Sequence, residues 1–286
     1  GDVVAVTNVS YDHVEALGPT LRDIAREKAG IIKPASQLVL GEPTPELAQV
    51  FVDAAGRVGA RGIWRRGSDF DCDVNHLAVG GRLVSLRTPT ASYDELYLPL
   101  HGAHQGENAA LAVACAEAFF GTALAEDTVA AALASVRVPG RFEVVGRSPL
   151  VVLDGAHNVA GAHALAATLA EMHPQGGIVS VIGMLRGRDP SAVFQALSAG
   201  GVSAVVTCTA PSPRAIPAVE LAEAARAVGL EAQSTDAVPD AVTLALGRAS
   251  VDDMVVVTGS LYVVAEARSR LVTAGGAGSG SAGQRR

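Results

Sequence analysis

Lysine is nearly missing from this chain of 286 residues: only Lys28 and Lys33 are lysines among 22 basic residues. The arginine bias reads as coding composition, and it makes the place of each lysine informative. Aromatic residues are scarce at 4%, so the 49% of hydrophobic residues is mostly Ala, Val and Leu, the usual filling of α/β domains. The three cysteines, Cys72, Cys115 and Cys208, lie far apart without a CxxC pair. That excludes a disulfide framework and a cysteine zinc site, suits a reducing compartment, and makes the expected location cytoplasmic. An excess of positive charge is absent too. The formal net charge is −7, which argues against nucleic acid and against an anionic membrane surface as partners. Mean hydropathy is +0.31, but no long apolar run accompanies it. The uncharged stretch Ala196–Pro213 is interrupted by Gly200, Gly201, Pro211 and Pro213, whereas a spanning helix needs about 20 apolar residues in one run. Nor is a secretory signal expected from the first residues, where Gly1-Asp2 leads straight into a strand pattern.

What is present is alternation. At roughly 150 residues per domain the length suggests two domains. Short Val- and Ile-rich runs alternate with Ala/Leu-rich amphipathic segments, the pattern of βαβ units and mostly parallel sheets. Strands are expected at Val3–Val9, Gln37–Leu40 and Gly62–Arg65, and helices at Thr20–Gly30 and Pro45–Arg57. His76–Val79, Leu83–Arg87 and Glu95–Leu100 then suggest an antiparallel meander, followed by helices at Gln105–Phe120 and Asp127–Val136. Val138-Pro139-Gly140 breaks the chain, which sets domains at 1–137 and 138–274. In the second, strands are expected at Phe142–Val145, Leu150–Leu153, Ile178–Ile182, Ala204–Thr207 and Met254–Thr258. Helices should cover Gly161–Met172, Pro190–Ser198, Ala218–Val228, Ala237–Ala245 and Tyr262–Leu271. The Gly/Ser/Ala-rich stretch 275–286 reads as a disordered tail.

Six segments could carry chemistry. Thr7–His13 follows the first strand, where ligands of open α/β sheets sit; Asp12 and His13 could hold a metal, orient a phosphate or cap a turn. Arg26-Glu27-Lys28 is a charged helix face, yet a lysine, unlike arginine, can become a neutral, reactive amine. His101–Asn108 enters a helix with Gln105 and Asn108 on one face of the first turn. That is either an amide-rich cap or a reader of a nucleobase edge. Arg141, at the domain junction, suits a phosphate clamp or an interdomain ion pair. Val151–Asn158 runs from an apolar strand into Asp154-Gly155-Ala156-His157-Asn158, an arrangement typical of active sites. Ser260, between the last strand and the last helix, is at the least a helix cap.

Together and in this order the segments resemble the bifunctional dihydrofolate synthase/folylpolyglutamate synthase family of the Mur ligase superfamily. The matching stretches are TNVSYDHVEALGPTLRDIAREKAGIIKP, LPLHGAHQGENAALAV, VPGRFEVV, VVLDGAHNVAGAHAL and VVVTGSLYVV, spread from Val3 to Leu271. The resemblance implies a Mur-ligase-like α/β fold: part of a P-loop-type ATPase domain with a mixed sheet, then a Rossmann-like ligase domain. It implies an ATP-dependent carboxylate–amine ligase that joins L-glutamate to dihydropteroate or a folate through an acyl phosphate, a monomer acting on small molecules with two Mg²⁺ ions. By their match to the family pattern, His13 and a carbamylated Lys28 would ligate Mg²⁺. Asn108 would contact adenine, Arg141 the phosphates and Asp154 the ribose, with His157 near the γ-phosphate or the incoming glutamate and Ser260 on the glutamate side. Lys28 and His157 would be the catalytic pair. The pattern fails in places. The chain has no GxxxxGK[ST] phosphate loop, and Val159 stands where the family usually has proline. Together with a first residue that is not Met, this leads us to expect an incomplete first domain with little or no ligase activity of its own. The other readings are a non-catalytic nucleotide- or folate-binding homologue and another Mur-type amino-acid ligase.

Overall fold

The structure is a computed structural model, and it describes residues 1–12, 17–172 and 175–276. The chain divides into two compact units, Gly1–Arg137 and Val138–Arg286.

The first unit holds two small sheets. Strands β1 (Val3–Val6), β2 (Gln37–Leu40) and β3 (Gly62–Arg65) are parallel, in the order β1-β2-β3. Helices α1 (Leu21–Ala29) and α2 (Pro45–Val58) are the crossovers. Period-two alternation places Leu38 and Leu40 in one core with Ile24, Ala25 and Phe51. Val39 faces the other core with Phe70, Val84 and Tyr93. A meander follows, β4 (Asp71–Ala78), β5 (Gly81–Arg87) and β6 (Ser92–Leu98), antiparallel throughout. Helix α3 (His104–Phe120) packs against both sheets, and α4 (Glu126–Ser135) lies on β6.

The second unit is a six-stranded sheet in the order β11-β10-β9-β12-β8-β7. Its strands are β7 (Glu143–Arg147), β8 (Leu150–Leu153), β9 (Ile178–Ile182), β10 (Val202–Thr207), β11 (Glu231–Ser234) and β12 (Met254–Thr258). All pairs are parallel except β7 with β8. Between the strands run α5 (Val159–Met172), α6 (Pro190–Ala199), α7 (Ala218–Ala227) and α8 (Val238–Arg248), and α9 (Leu261–Gly276) closes the unit. Both faces are covered: Val152, Ile182, Val205 and Val256 pack to one side, Leu153, Val181, Val206 and Val257 to the other. This is why the strands read as continuous apolar runs. Strand β12 enters between β9 and β8, so the chain reverses its direction of winding there. Ligands of doubly wound sheets bind outside the carboxyl ends of the strands at such a point.

The differences from the sequence reading have local causes. Strand β4 starts at Asp71, earlier than expected, because pairing with β5 overrides its polar Asp71-Cys72-Asp73 start. Strand β6 is shifted toward Ser92, with Glu95 at φ 53° and a register shift opposite Val84 and Leu86. β1 stops at Val6, and β11 is an edge strand that buries only Ala232 among exposed neighbours. Gly275 and Gly276 belong to α9, and the rest of the expected tail, 277–286, lies outside the described residues. Among the described residues no helix is long and apolar enough to cross a membrane.

One polar pair is sunk in the first unit. Glu117 is wholly buried on α3 and takes the Tyr93 hydroxyl at 2.5 Å, and that hydroxyl accepts the Leu124 N–H at 3.0 Å. Burial, then the Glu117 carboxyl, push the Tyr93 phenol up to about 12. A phenol that titrates higher in the folded chain than the ordinary value of about 10 stabilises the fold below that pH. This contribution is lost as pH rises through about 12. Tyr93→Phe is expected to cost about 1–3 kcal/mol in chemical denaturation at neutral pH and to flatten the alkaline limb of the stability profile; a variant as stable as wild type with the same limb would contradict this.

Candidate functional site

In the first unit the residues after β1 are tied down by a buried carboxylate. Glu42 follows β2 and is 6% exposed. Its Oε2 accepts the Val9 N–H at 2.5 Å and its Oε1 the Thr44 N–H at 2.9 Å. The carboxyl ends of β1 and β2 are therefore fastened to one side chain. Lys28, half-buried near the end of α1, donates from Nζ to the Asn8 carbonyl at 3.1 Å. The Thr20 hydroxyl caps α1 by accepting the Asp23 N–H at 3.2 Å, and that cap sets where along the helix Lys28 falls. His13, the expected metal ligand, lies outside the described residues.

The first turn of α3 carries the amides. Asn108 donates from Nδ2 to Gln105 Oε1 at 3.1 Å, and Gln105 Nε2 lies 3.0 Å from His104 Nε2. Asn75 of β4 donates to the Ala103 carbonyl at 2.8 Å, and the buried Arg82 is bonded to Asn75. Just ahead of this turn, burial and then Arg82 keep the His101 imidazole below its usual range. Arg66 pairs with Glu107 on the same turn.

In the second unit the loop after β8 is held by several hydrogen bonds. Asp154 Oδ2 accepts the Phe142 N–H and Oδ1 the Ala156 N–H, both at 2.9 Å. Phe142 is buried at φ 44°, a left-handed backbone that a bulky residue holds only when its surroundings impose it. A Cβ at Gly155 would displace the ends of the Arg141 side chain and, at 2.6 Å, of Leu261. His157 Nδ1 lies 2.8 Å from the Gly155 carbonyl, which orients the ring. Asn158 Oδ1 accepts the Gly161 N–H at 2.8 Å and begins α5. After β12, Gly259 takes φ 93° and donates its N–H to the Ala156 carbonyl at 2.9 Å. A Cβ there would lie 2.8 Å from the Gly183 carbonyl oxygen. Ser260 is 2% exposed, and its Oγ accepts the Tyr262 N–H at 3.2 Å, so it does cap the start of α9.

These loops enclose a cleft of about 140 Å³, lined by His157, Leu185, Arg188, Gly259, Ser260 and Tyr262 among others. It sits past the carboxyl ends of β8, β9 and β12. Of the residues expected from sequence, His157 and Ser260 meet in this cleft, while Arg141 and Asp154 share the adjoining Gly140–Gly155 segment. Lys28 and Asn108 belong to the first unit, in the two clusters described above. Sequence reasoning missed Leu185 and Arg188, which lie in the loop between β9 and α6. The charged run Arg186-Gly187-Arg188-Asp189 between strand and helix was the available signal. It missed Glu42 also, where an acidic residue directly after the buried Leu40-Gly41 marks a carboxylate that the fold must satisfy.

A metal cage is not formed by the described residues alone. Among them no three His, Cys, Asp or Glu side chains converge as a metal site, and the Lys28 amine acts as a donor.

Glu42→Ala strands two backbone N–H groups and is expected to cost about 1–3 kcal/mol, with faster amide exchange at Val9. Glu42→Gln, which keeps an acceptor oxygen, should recover part of the loss; unchanged Val9 exchange in Glu42→Ala would count against the tether.

Known proteins resemble this chain in sequence and fold. Residues 140–261 match the Mur ligase, glutamate ligase domain. The dihydrofolate synthase/folylpolyglutamate synthase of Mycobacterium tuberculosis is 40% identical over 233 residues, 78% of this chain and 47% of that protein. The Mycobacterium tuberculosis folylpolyglutamate synthase complexed with ADP superposes with a TM-score of 0.89 at 34% identity, over 99% of this chain and 64% of that one. The Yersinia pestis bifunctional enzyme, complexed with AMPPNP and a Mn ion, gives a TM-score of 0.80 at 29% identity, over 94% of this chain and 61% of that one. The chain thus spans about half to two-thirds of the length of these relatives. Over the part of their length that it spans, the chain belongs to the dihydrofolate synthase/folylpolyglutamate synthase family of Mur ligases.

Proposed function

We propose that this chain carries the glutamate-accepting part and a share of the nucleotide-binding part of an ATP-dependent ligase, which joins L-glutamate to dihydropteroate or to a folate. The observation that carries this reading is the cleft in which His157, Arg188 and Ser260 converge beyond β8, β9 and β12. In the proposed reaction a carboxylate oxygen of the pteroate or folate takes the γ-phosphoryl group of ATP, and ADP leaves. The amine of L-glutamate then attacks the acyl carbon, loses a proton, and displaces phosphate to leave an amide.

Each residue type suits a task in that sequence. Phosphoryl transfer depends on positioning and charge neutralisation more than on covalent help. Arg141 supplies a fixed cation for the phosphates, and Asp154 holds both the Arg141 segment and the His157 loop by its two backbone bonds. Asn108 and Gln105 offer amide edges to adenine. Arg188 is the guanidinium of the cleft and suits a carboxylate of the incoming amino acid, a pairing of matched planar geometry. His157, its ring oriented by Nδ1 at the Gly155 carbonyl, lines the cleft, and an imidazole placed there suits the proton that the attacking amine gives up.

The ions belong to the proposal as well. Two Mg²⁺ ions would neutralise phosphate charge, with His13 and a carbamate on Lys28 as ligands. The uncharged amine of a lysine captures CO₂, releases a proton and becomes an anionic oxygen donor, a conversion closed to arginine. That fits a lysine kept at this place in a chain that otherwise uses arginine. Carbon-13 NMR of the protein in labelled bicarbonate should show a carbamate signal that Lys28→Arg removes; no signal, or one that survives the substitution, would contradict the assignment.

The amino-acid side of the reading is tested by calorimetry on the whole chain. L-glutamate should bind saturably, and Arg188→Ala should weaken it about tenfold or more, as expected for loss of a charge-assisted contact. With no GxxxxGK[ST] loop to hold the phosphates, the same chain given ATP, glutamate and folate is expected to form no amide product. Absence of glutamate binding, or binding that Arg188→Ala leaves intact, would overturn the glutamate site; steady product formation would overturn the inactivity.

A further inference from the structure

Glu143 begins β7, and Arg268 lies two turns into α9. Arg268 Nε reaches both carboxylate oxygens of Glu143 at 3.0 Å. The same Glu143 Oε2 accepts the Gly140 N–H at 2.9 Å. The Gly140 carbonyl then accepts the Gly155 N–H at 2.7 Å and the Arg141 Nη1 at 3.3 Å. A continuous series of bonds therefore runs from α9 through a carboxylate to the Arg141 guanidinium and the start of the His157 loop. The helix at one end of the series is the one whose first turn, Leu261 and Tyr262, lines the cleft.

The pair is poorly placed to act as a stabilising ion pair alone. The Arg268 side chain is 40% exposed and that of Glu143 21%, and exposed pairs contribute little to folding. Its geometry has a different consequence. Without Glu143 the Gly140 N–H loses its acceptor, and the carbonyl that orients Arg141 loses the anchor on its own residue. Asp154 secures only the next position, Phe142.

We propose that Glu143, held by Arg268, is a positioning residue that fixes Arg141 for a nucleoside polyphosphate. The proposal rests on the reading of Arg141 as a phosphate-binding residue. It assigns to β7 and α9 a part in anion binding that neither element plays by contact with the ligand.

A double-mutant cycle with amide exchange tests it, using the full chain and ADP as the probe. Glu143→Ala and Arg141→Ala should each weaken ADP binding about tenfold, and the double variant no more than Arg141→Ala alone, because both remove the same interaction. Glu143→Gln, which keeps an oxygen for the Gly140 N–H, should recover most of the affinity. The Gly155 amide should exchange about tenfold faster in Glu143→Ala, since its acceptor is no longer held. Additive losses, or unchanged ADP affinity in Glu143→Ala, would overturn the proposal. If the wild-type chain binds no ADP, the phosphate reading of Arg141 fails on its own. Gly155 exchange then decides on the positioning pair, which an unchanged rate refutes and a faster one supports.

Discussion

The Asp154 carboxylate spans two backbone N–H groups, Phe142 on one side and Ala156 on the other, at 2.9 Å each. The ligand-facing end of the second unit depends on that bridge. One bond holds Phe142 at a backbone angle that its side chain disfavours. The other starts the turn that brings out His157. Substituting the aspartate would remove both bonds at once. The parallel sheet beneath supplies the rigid base, with Val151, Val152 and Leu153 all buried and paired to β12.

The strand order explains why the chemistry gathers where it does. Strand β12 arrives last and fills the gap between β8 and β9. Its loop therefore emerges beside two loops formed much earlier in the chain. Gly259 donates its N–H to the Ala156 carbonyl, and the Thr258 hydroxyl reaches the same carbonyl at 3.2 Å. Residues a hundred positions apart are thereby fixed within one turn of each other. The first unit uses the same principle in a smaller form, with Glu42 joining the segments after β1 and β2.

Much of this was legible in the sequence. Buried parallel strands such as Gln37–Leu40, Ile178–Ile182 and Met254–Thr258 show as short, mostly apolar runs rich in Val, Ile and Leu, and their bounds were found to the residue. The Asp154–Asn158 loop stood out because competent polar residues directly follow such a run. Elements held by pairing alone were harder to read. Strand β11 offers a single buried side chain, and the bulge at Glu95 shifts β6 without any residue that announces it. Arg188 and Glu42 escaped for a related reason. Charged residues in a loop read as solvated until the fold shows what surrounds them. The Glu143–Arg268 pair joins positions 125 residues apart, a separation no local pattern can encode.

Amide-shift mapping of the isotopically labelled chain, titrated separately with L-glutamate and ADP, tests the central claim most directly. The account predicts that glutamate perturbs His157, Arg188 and Gly259–Tyr262, the walls of the cleft, while ADP perturbs Arg141 and Gly155. Shifts confined to other surfaces, or none with either ligand, would contradict it.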